Sequence, residues 1–344
     1  MGCPEQPPEP GQPPAFAFAR LGLSMTPSSP SYIGIDASKA ELEVAVGPKL
    51  VGNYGNSVAG ITDLQKHVPP PSEVAFVVIE STGCYSQLAA RLLTAGGYRV
   101  TVVQPGRIRQ YARSQGLLAK TDRIDARIIA QYGEHSPGLR TYEEPSPIRQ
   151  RLRALVDRRD QLVEDRVREE NRLEACSDAV VQKGLRSSVA ALRKRADALE
   201  QDIASLITSD GELAAMRDIL ESLKGVGSIT AATLLAHLPE LGQVNRQEIA
   251  ALAGVAPYNN DSGGHQGTRS IYGGRQRVRT AMHMAAVAAM RWDETFSAFY
   301  TGLRERGKPA KVAIVAVIRK MLVKLNSLIG AYRLKNSLAV PAAT

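Results

Sequence analysis

From residue 32 the chain reads Tyr-Ile-Gly-Ile and closes on an acid, Asp36. A short apolar run bounded by turn-forming residues is the pattern of a buried strand. Residues 42–46 and 49–54 repeat it around a Gly-Pro turn, and a short helix is expected over 61–67. Residues 74–79 form a second unbroken apolar run, again ending in an acid, Glu80. Then come a helix at 87–95, a strand at 98–103, a helix at 107–113 and a last helix at 121–132. Three strands in a meander, followed by alternating helix and strand, predict a mixed sheet with helices on both faces.

Beyond Pro145 and Pro147 the apolar period lengthens to that of helices. Leu185, Val189, Leu192, Ala196, Leu199, Ile203 and Leu206 alternate by four and three, the spacing of a coiled-coil seam. Leu152, Leu155, Leu162 and Leu173 give a looser version, and Gly184 is the expected break between two helices. An antiparallel hairpin or an oligomerisation arm fits this pattern; a helical linker with a solvated face fits it equally. From residue 211 Ala/Gly/Leu helices with basic loops take over. Leu223-Lys224-Gly225-Val226-Gly227 reads as a turn between helices, of helix-hairpin-helix type. Its glycines can expose backbone N–H groups to a phosphate, or simply let two helices pack closely.

The first 30 residues carry no apolar period and are rich in proline, glycine and serine, as expected of a disordered tail, with Met25 as a possible natural start. The resulting plan is a tail (1–30), a sheet domain (31–145), a coiled-coil segment (146–210) and a helical domain (211–344). The sheet-domain order is that of ribonuclease H-like folds, which several enzyme and non-enzyme lineages share.

Charge sharpens this picture. The 344 residues carry a formal net charge of +9, and residues 265–344 alone hold 14 Lys and Arg against 3 Asp and Glu. A basic C-terminal third favours nucleic acid as partner. Three cysteines without paired spacing fit a reducing, cytoplasmic setting, and five scattered histidines argue against zinc. The longest apolar runs, 281–290 and 312–318, are too short to cross a membrane.

Four acids stand out: Asp36 and Glu80 at strand ends, and Asp122 and Asp125 three apart on one expected helix. In a ribonuclease H-like sheet the two strand ends are neighbours. Four carboxylates at one sheet edge repel unless a cation lies among them, and all-oxygen ligands suit Mg²⁺ or Mn²⁺, with two ions as the usual phosphodiester arrangement. Each acid also has an ordinary reading: Asp125 as a helix cap or a partner of Arg123 or Arg127, Asp122 as a helix start, and Glu80 as an acceptor for the turn that follows it.

The motifs Gly34-Ile-Asp36-Ala-Ser-Lys39, Ile79-Glu80-Ser-Thr-Gly83 and Lys120-Thr-Asp122-Arg-Ile-Asp125-Ala126 resemble the Asp-Glu-Asp-Asp (DEDD) transposases of insertion-sequence family 110. Leu252-Ala-Gly-Val-Ala-Pro257 with Ser262-Gly263 resembles that family's second domain, so the likeness spans residues 32–334. It implies a RuvC-like metal domain, a coiled coil and a C-terminal transposase domain. It further implies a bridge RNA, a non-coding guide that pairs with donor and target DNA, and a homo-oligomer from dimer to tetramer. Ser262 matches the family's nucleophile, which would form a phosphoserine link to DNA; on its own, Asn-Asn-Asp-Ser-Gly-Gly is an ordinary turn.

Candidate nucleic-acid contacts are Lys120, Lys224, Gly225, Gly227, Arg269, Arg275, Arg277 and Arg279, the arginines being readable equally as a solvated face. Tyr258 and Tyr272 can stack on bases or pack. Two rival functions remain open: a junction-resolvase-like metal nuclease without a covalent step, and a non-catalytic nucleic-acid scaffold.

Overall fold

A computed structural model describes residues 30–81, 83–117, 125–259 and 269–339. The chain divides into two compact units at Glu144/Pro145.

The first unit is a five-stranded sheet of β1 (Ser31–Ala37), β2 (Glu41–Val46), β3 (Lys49–Gly55), β4 (Val74–Glu80) and β5 (Val100–Val103), in the order β3-β2-β1-β4-β5. The first three strands form an antiparallel meander, and β4 and β5 run parallel to β1. This is the mixed order that the sequence pattern predicts. Four helices cover it: α1 (Val58–His67), α2 (Tyr85–Ala95), α3 (Pro105–Ser114) and α4 (Ala126–His135).

Alternation along the central strands assigns the faces. Ile33, Ile35, Val77 and Ile79 share a buried cluster with Ile61 and Leu64 of α1 and Ala89 and Leu93 of α2. The intervening residues Phe76 and Val78 belong to a second cluster with Ile108 of α3 and Ile129 and Tyr132 of α4, against which Tyr32 packs. Both strands are thus apolar on each face, which explains their unbroken runs.

α4 lies unusually close to the sheet. A Cβ on Gly34 would stand 2.0 Å from the Ala126 carbonyl oxygen and 2.3 Å from the Ala130 nitrogen, and one on Gly133 would meet Val78 at 2.6 Å. Small residues on both sides let helix backbone rest on strand backbone. α4 is described from Ala126, with Asp125 as its extended N-cap; Thr121 and Asp122 of the expected helix lie outside the described residues. The Asp125 carboxylate takes up the first free N–H groups of the helix.

The second unit is nearly all helix: α5 (Pro147–Ala175), α6 (Ala179–Thr208), α7 (Gly211–Glu221), α8 (Ser228–His237), α9 (Arg246–Leu252), α10 (Gln276–Trp292), α11 (Glu294–Glu305) and α12 (Ala310–Ala339), with a two-residue ribbon of β6 (Pro257–Tyr258) and β7 (Ser270–Ile271). α5 and α6 form a hairpin, tied midway by the Arg159 guanidinium donating to Glu200 at 2.8 and 2.6 Å. The expected seam of α6 is the covered side, with Ala196 and Ile203 buried.

The expected break at Gly184 is not there. α6 runs through it, and the chain turns at residues 176–178, where Asp178 caps α6 by accepting from the Val181 N–H at 2.9 Å. One glycine costs a helix about 1 kcal/mol, which thirty residues absorb. The base of the hairpin is not set apart from the helices that follow. Leu152 and Val156 of α5 and Ile203 and Ile207 of α6 enter one core with Leu213, Leu234, Ile249, Val278, Phe296 and Met321. Among the described residues no helix is long and apolar enough to cross a membrane.

Candidate functional site

Asp36 and Glu80 close β1 and β4, neighbouring parallel strands in which Ile35 pairs with Ile79. Each lies two residues beyond a position that faces α4, namely Gly34 and Val78, so both acids lie on the α4 face of the sheet. Along β1, Tyr32 meets Gly133 while Gly34 meets Ala126 and Ala130. The helix therefore runs against the strand direction, and its N-terminus, with Asp125, sits at the strand end that carries Asp36. Asp36, Glu80 and Asp125 thus lie toward the same end of the sheet, two at strand ends and one at a helix cap.

The charges there affect one another. Burial pushes the Glu80 carboxyl up, Asp36 pushes it further, and Arg109 of α3 opposes both. Asp125 is differently placed. Its Oδ1 accepts from the Arg127 and Ile128 N–H groups at 2.9 and 3.3 Å, and its Oδ2 takes the Arg127 Nε at 2.8 Å and, closer still, Nη2. Burial alone would raise this carboxyl, but the Arg127 side chain and the backbone donors together hold it below the usual carboxylate range. The capping and ion-pair roles are both filled.

Glu43 is an acid that the sequence pattern does not single out. It pairs with Asp36 across β1 and β2, and its charge reinforces that of Arg127. Its signal is faint: one glutamate breaking the apolar face of a strand beside an acid-bearing strand.

Among the described residues no three His, Cys, Asp or Glu side chains group as a metal-holding set. The donor chemistry nonetheless fits a hard divalent ion. Two carboxylates at adjacent strand ends, one of them lifted by burial and by the other, are oxygen donors whose repulsion a cation relieves. Asp125 can join them only by exchanging Arg127 for the ion at Oδ2.

Ser262 and Lys120 also lie outside the described residues. The ribbon that brackets residues 259–269 is described: Pro257 pairs with Ile271 and Tyr258 with Ser270, so the two ends of that segment stand side by side.

Three of the four arginines expected to meet phosphate have partners within the fold. Arg275 forms a two-pronged pair with Glu240 at 2.5 and 2.6 Å. Arg277 reaches Asp160 at 2.9 Å and Asp157 at 3.3 Å. Arg279 donates to the Gly273 and Gly254 carbonyls at 2.8 and 3.4 Å. Asp157 also stands 3.1 Å from Nε2 of the buried His237. These arginines brace the start of α10 against α5 and the loops that precede it. Arg269 is exposed, as are Lys224 and Gly227. Gly225 has the packing role: with φ at +95°, its Cβ would stand 2.4 Å from the Ala285 carbonyl oxygen. Gly227 precedes α8 with open space around it and no side-chain cap.

Comparison with known proteins supplies the remaining observation. A family profile described as a transposase of the DEDD IS110 type matches residues 33–181, and one described as "Transposase IS116/IS110/IS902 family" matches residues 217–301. The chain is 28% identical over 306 residues to the pilin gene-inverting protein of Moraxella bovis, covering 86% of this chain and 94% of that one. Its counterpart in Moraxella lacunata matches to the same extent. The insertion element IS110 uncharacterized 43.6 kDa protein of Streptomyces coelicolor is 30% identical over 145 residues, 42% of this chain and 35% of that protein. With Asp36, Glu80 and Asp125 gathered inside the first matched segment, and both profiles met in chain order across well over half the sequence, the chain belongs to the IS110 family of transposases, enzymes that act on DNA.

Proposed function

We propose that this transposase cleaves and rejoins DNA through a covalent serine intermediate, with Asp36, Glu80, Asp122 and Asp125 holding Mg²⁺ or Mn²⁺. The observation that carries the reading is the meeting of Asp36 and Glu80 on the sheet face where α4 begins, with Asp125 at the cap. Bound there, a divalent ion would supply charge neutralisation for a phosphodiester and acidity for a coordinated oxygen.

The protein's own groups do the rest. The Ser262 hydroxyl attacks phosphorus, forming an O–P bond as the bond to the 3′ oxygen breaks. The serine proton passes through a base to that oxygen, leaving a 3′ hydroxyl and a 5′ phosphate on the protein. Reversal with a different 3′ hydroxyl rejoins the strands. Ser262 of one copy works with the acids of another in a synaptic tetramer, held together in part through the α5–α6 hairpin as a coiled-coil arm. A bridge RNA selects donor and target by pairing, and the basic C-terminal third binds backbone phosphates.

A second reading is supported by the Moraxella relatives, whose name describes inversion of a gene. The same chemistry acting on two sites within one molecule inverts the segment between them. A plasmid carrying the donor and target sites in both relative orientations separates insertion from inversion.

The test of the chemistry is incubation of end-labelled donor and target DNA with protein, guide RNA and Mg²⁺. The expected product is a protease-sensitive protein–DNA adduct, absent in Ser262→Ala and absent with chelator. Cleaved DNA without an adduct would favour a resolvase-like nuclease. Full biological activity in Asp36→Asn would favour a scaffold.

A further inference from the structure

The β6–β7 ribbon has no role in the chemistry above. Each of its strands has two residues, and all four, Pro257, Tyr258, Ser270 and Ile271, are exposed. Tyr258 is 48% exposed, Ile271 36%, and the next residue, Tyr272, 70%. A ribbon this short gains little stability from its own pairing, and among the described residues neither tyrosine belongs to a buried cluster that would account for it. Arg269, also exposed, stands at the entrance to β7.

The surface is poorly suited to another strand. Pro257 has no N–H, and two residues offer no row of main-chain groups to extend. Whatever binds here does so through side chains: two aromatic faces, an aliphatic edge and a guanidinium. That set matches a nucleotide, with ring faces for the base and a cation for the phosphate. The composition of this part of the chain agrees, since residues 265–344 carry 14 Lys and Arg against 3 Asp and Glu. In an intact duplex each base is already stacked between neighbours, so a free ring face exists only where a base is unpaired.

We propose that the β6–β7 ribbon is a stacking platform for unpaired bases, with Tyr258 and Tyr272 as the stacking rings and Arg269 on the adjacent phosphate. This rests on the DNA-recombining reading above, and the two strands of the ribbon flank Ser262 in sequence. The platform recognises the π face rather than base identity, so it takes single-stranded DNA or RNA, and oligonucleotides of each type tell which source it uses.

The experiment measures binding of the full chain to a DNA duplex containing a mismatched bubble with 2-aminopurine, beside the fully paired duplex of the same sequence. Tyr258→Leu and Tyr272→Leu each weaken bubble binding by about tenfold and remove the quenching of 2-aminopurine, the scale of one lost base stack. Paired-duplex affinity and its salt dependence stay as in the wild type. Tyr272→Phe keeps both affinity and quenching, and unchanged melting curves show that the leucine variants fold. Equal affinity of wild type and leucine variants for the bubble overturns the proposal. So does an equal loss on paired and bubble DNA, or a loss that follows a change in oligomeric state by size exclusion. Wild-type protein that binds neither DNA contradicts the recombinase reading itself, and the platform falls with it.

Discussion

The strand ends of the first unit and the helix junctions of the second treat charge in opposite ways. In the first, Asp36 and Glu80 sit side by side at neighbouring strand ends, where Asp36 and burial both lift the Glu80 carboxyl and Arg109 offsets them only in part. In the second, charges are matched in pairs: Arg275 with Glu240, Arg277 with Asp157 and Asp160, Arg159 with Glu200. A matched pair is complete within the fold and reads as architecture. Like charges gathered side by side disfavour one another's ionised form and mark a candidate site. Residue type alone does not separate the two cases. Arg277 and Asp36 are both charged groups beside a motif, but Arg277 lies against two groups of opposite sign and Asp36 lies beside a group of its own sign.

The sharpest way to break the comparison is to remove an acid from the first unit. Asp36→Asn or Glu80→Gln is expected to lower DNA cleavage roughly 100- to 1000-fold, the scale of losing one preorganised electrostatic group. The fold should survive, and Glu80→Gln should melt higher than the wild type in chelator at neutral pH. A raised folded pKa contributes stability below the ordinary value of 4.5 and loses it as pH rises through the folded value, so this advantage shrinks on acidification. Melting curves from pH 4 to 8 check the sign.

Next in size is the backing of the site. Gly34→Val places a side chain where the backbone of α4 lies, at an expected cost of about 3 kcal/mol, with loss of cleavage at temperatures where the protein stays folded. Denaturant melts and cleavage assays on one preparation test it.

In the second unit Asp157→Asn strips a counter-charge from Arg277 and a polar partner from His237, for an expected loss of about 2 kcal/mol, below the range for fully buried pairs because Asp157 and Arg277 are partly exposed. Its pH sign is opposite to that of Glu80. Burial lifts the Asp157 carboxyl, but the close contact with His237, together with Arg277 and Arg153, brings it below its ordinary value of 3.8. Its contribution is present above that value and lost as pH falls through the folded one, so the gap between variant and wild type closes in acid.

The smallest effect concerns DNA. Arg277→Gln should lower the melting temperature while leaving the salt dependence of binding unaltered. Arg269→Gln should leave melting unaltered and reduce the slope of log affinity against log salt by about one. The reverse result would mean that the pairs in the second unit open to meet phosphate.

Much of this was legible in the chain. The apolar runs at β1 and β4 announce themselves because those strands are covered on both faces, and their terminal acids stand out against them. The start of α4 was not legible as written. A helical pattern over residues 121–132 says nothing of where capping begins, and Asp125 is decided by its bonds to the Arg127 and Ile128 N–H groups. Gly184 misled because a glycine breaks a helix only where its freedom is used, whereas Asp178 supplies a cap. The roles of Arg275, Arg277 and Arg279 were hidden for a different reason: Glu240, Asp157 and Gly254 lie 25 to 120 residues away in sequence, and only the packed helices bring them near.

The most direct test replaces Mg²⁺ with Fe²⁺ and ascorbate, which cut the polypeptide wherever the ion binds, and maps the cuts by mass spectrometry. The account predicts backbone cleavage near residues 36, 80 and 122–125, suppressed by excess Mg²⁺ and lost in the Asp36→Asn, Glu80→Gln double variant. Cuts confined to other segments, or a pattern unchanged in that variant, would contradict the convergence of these acids on a metal ion.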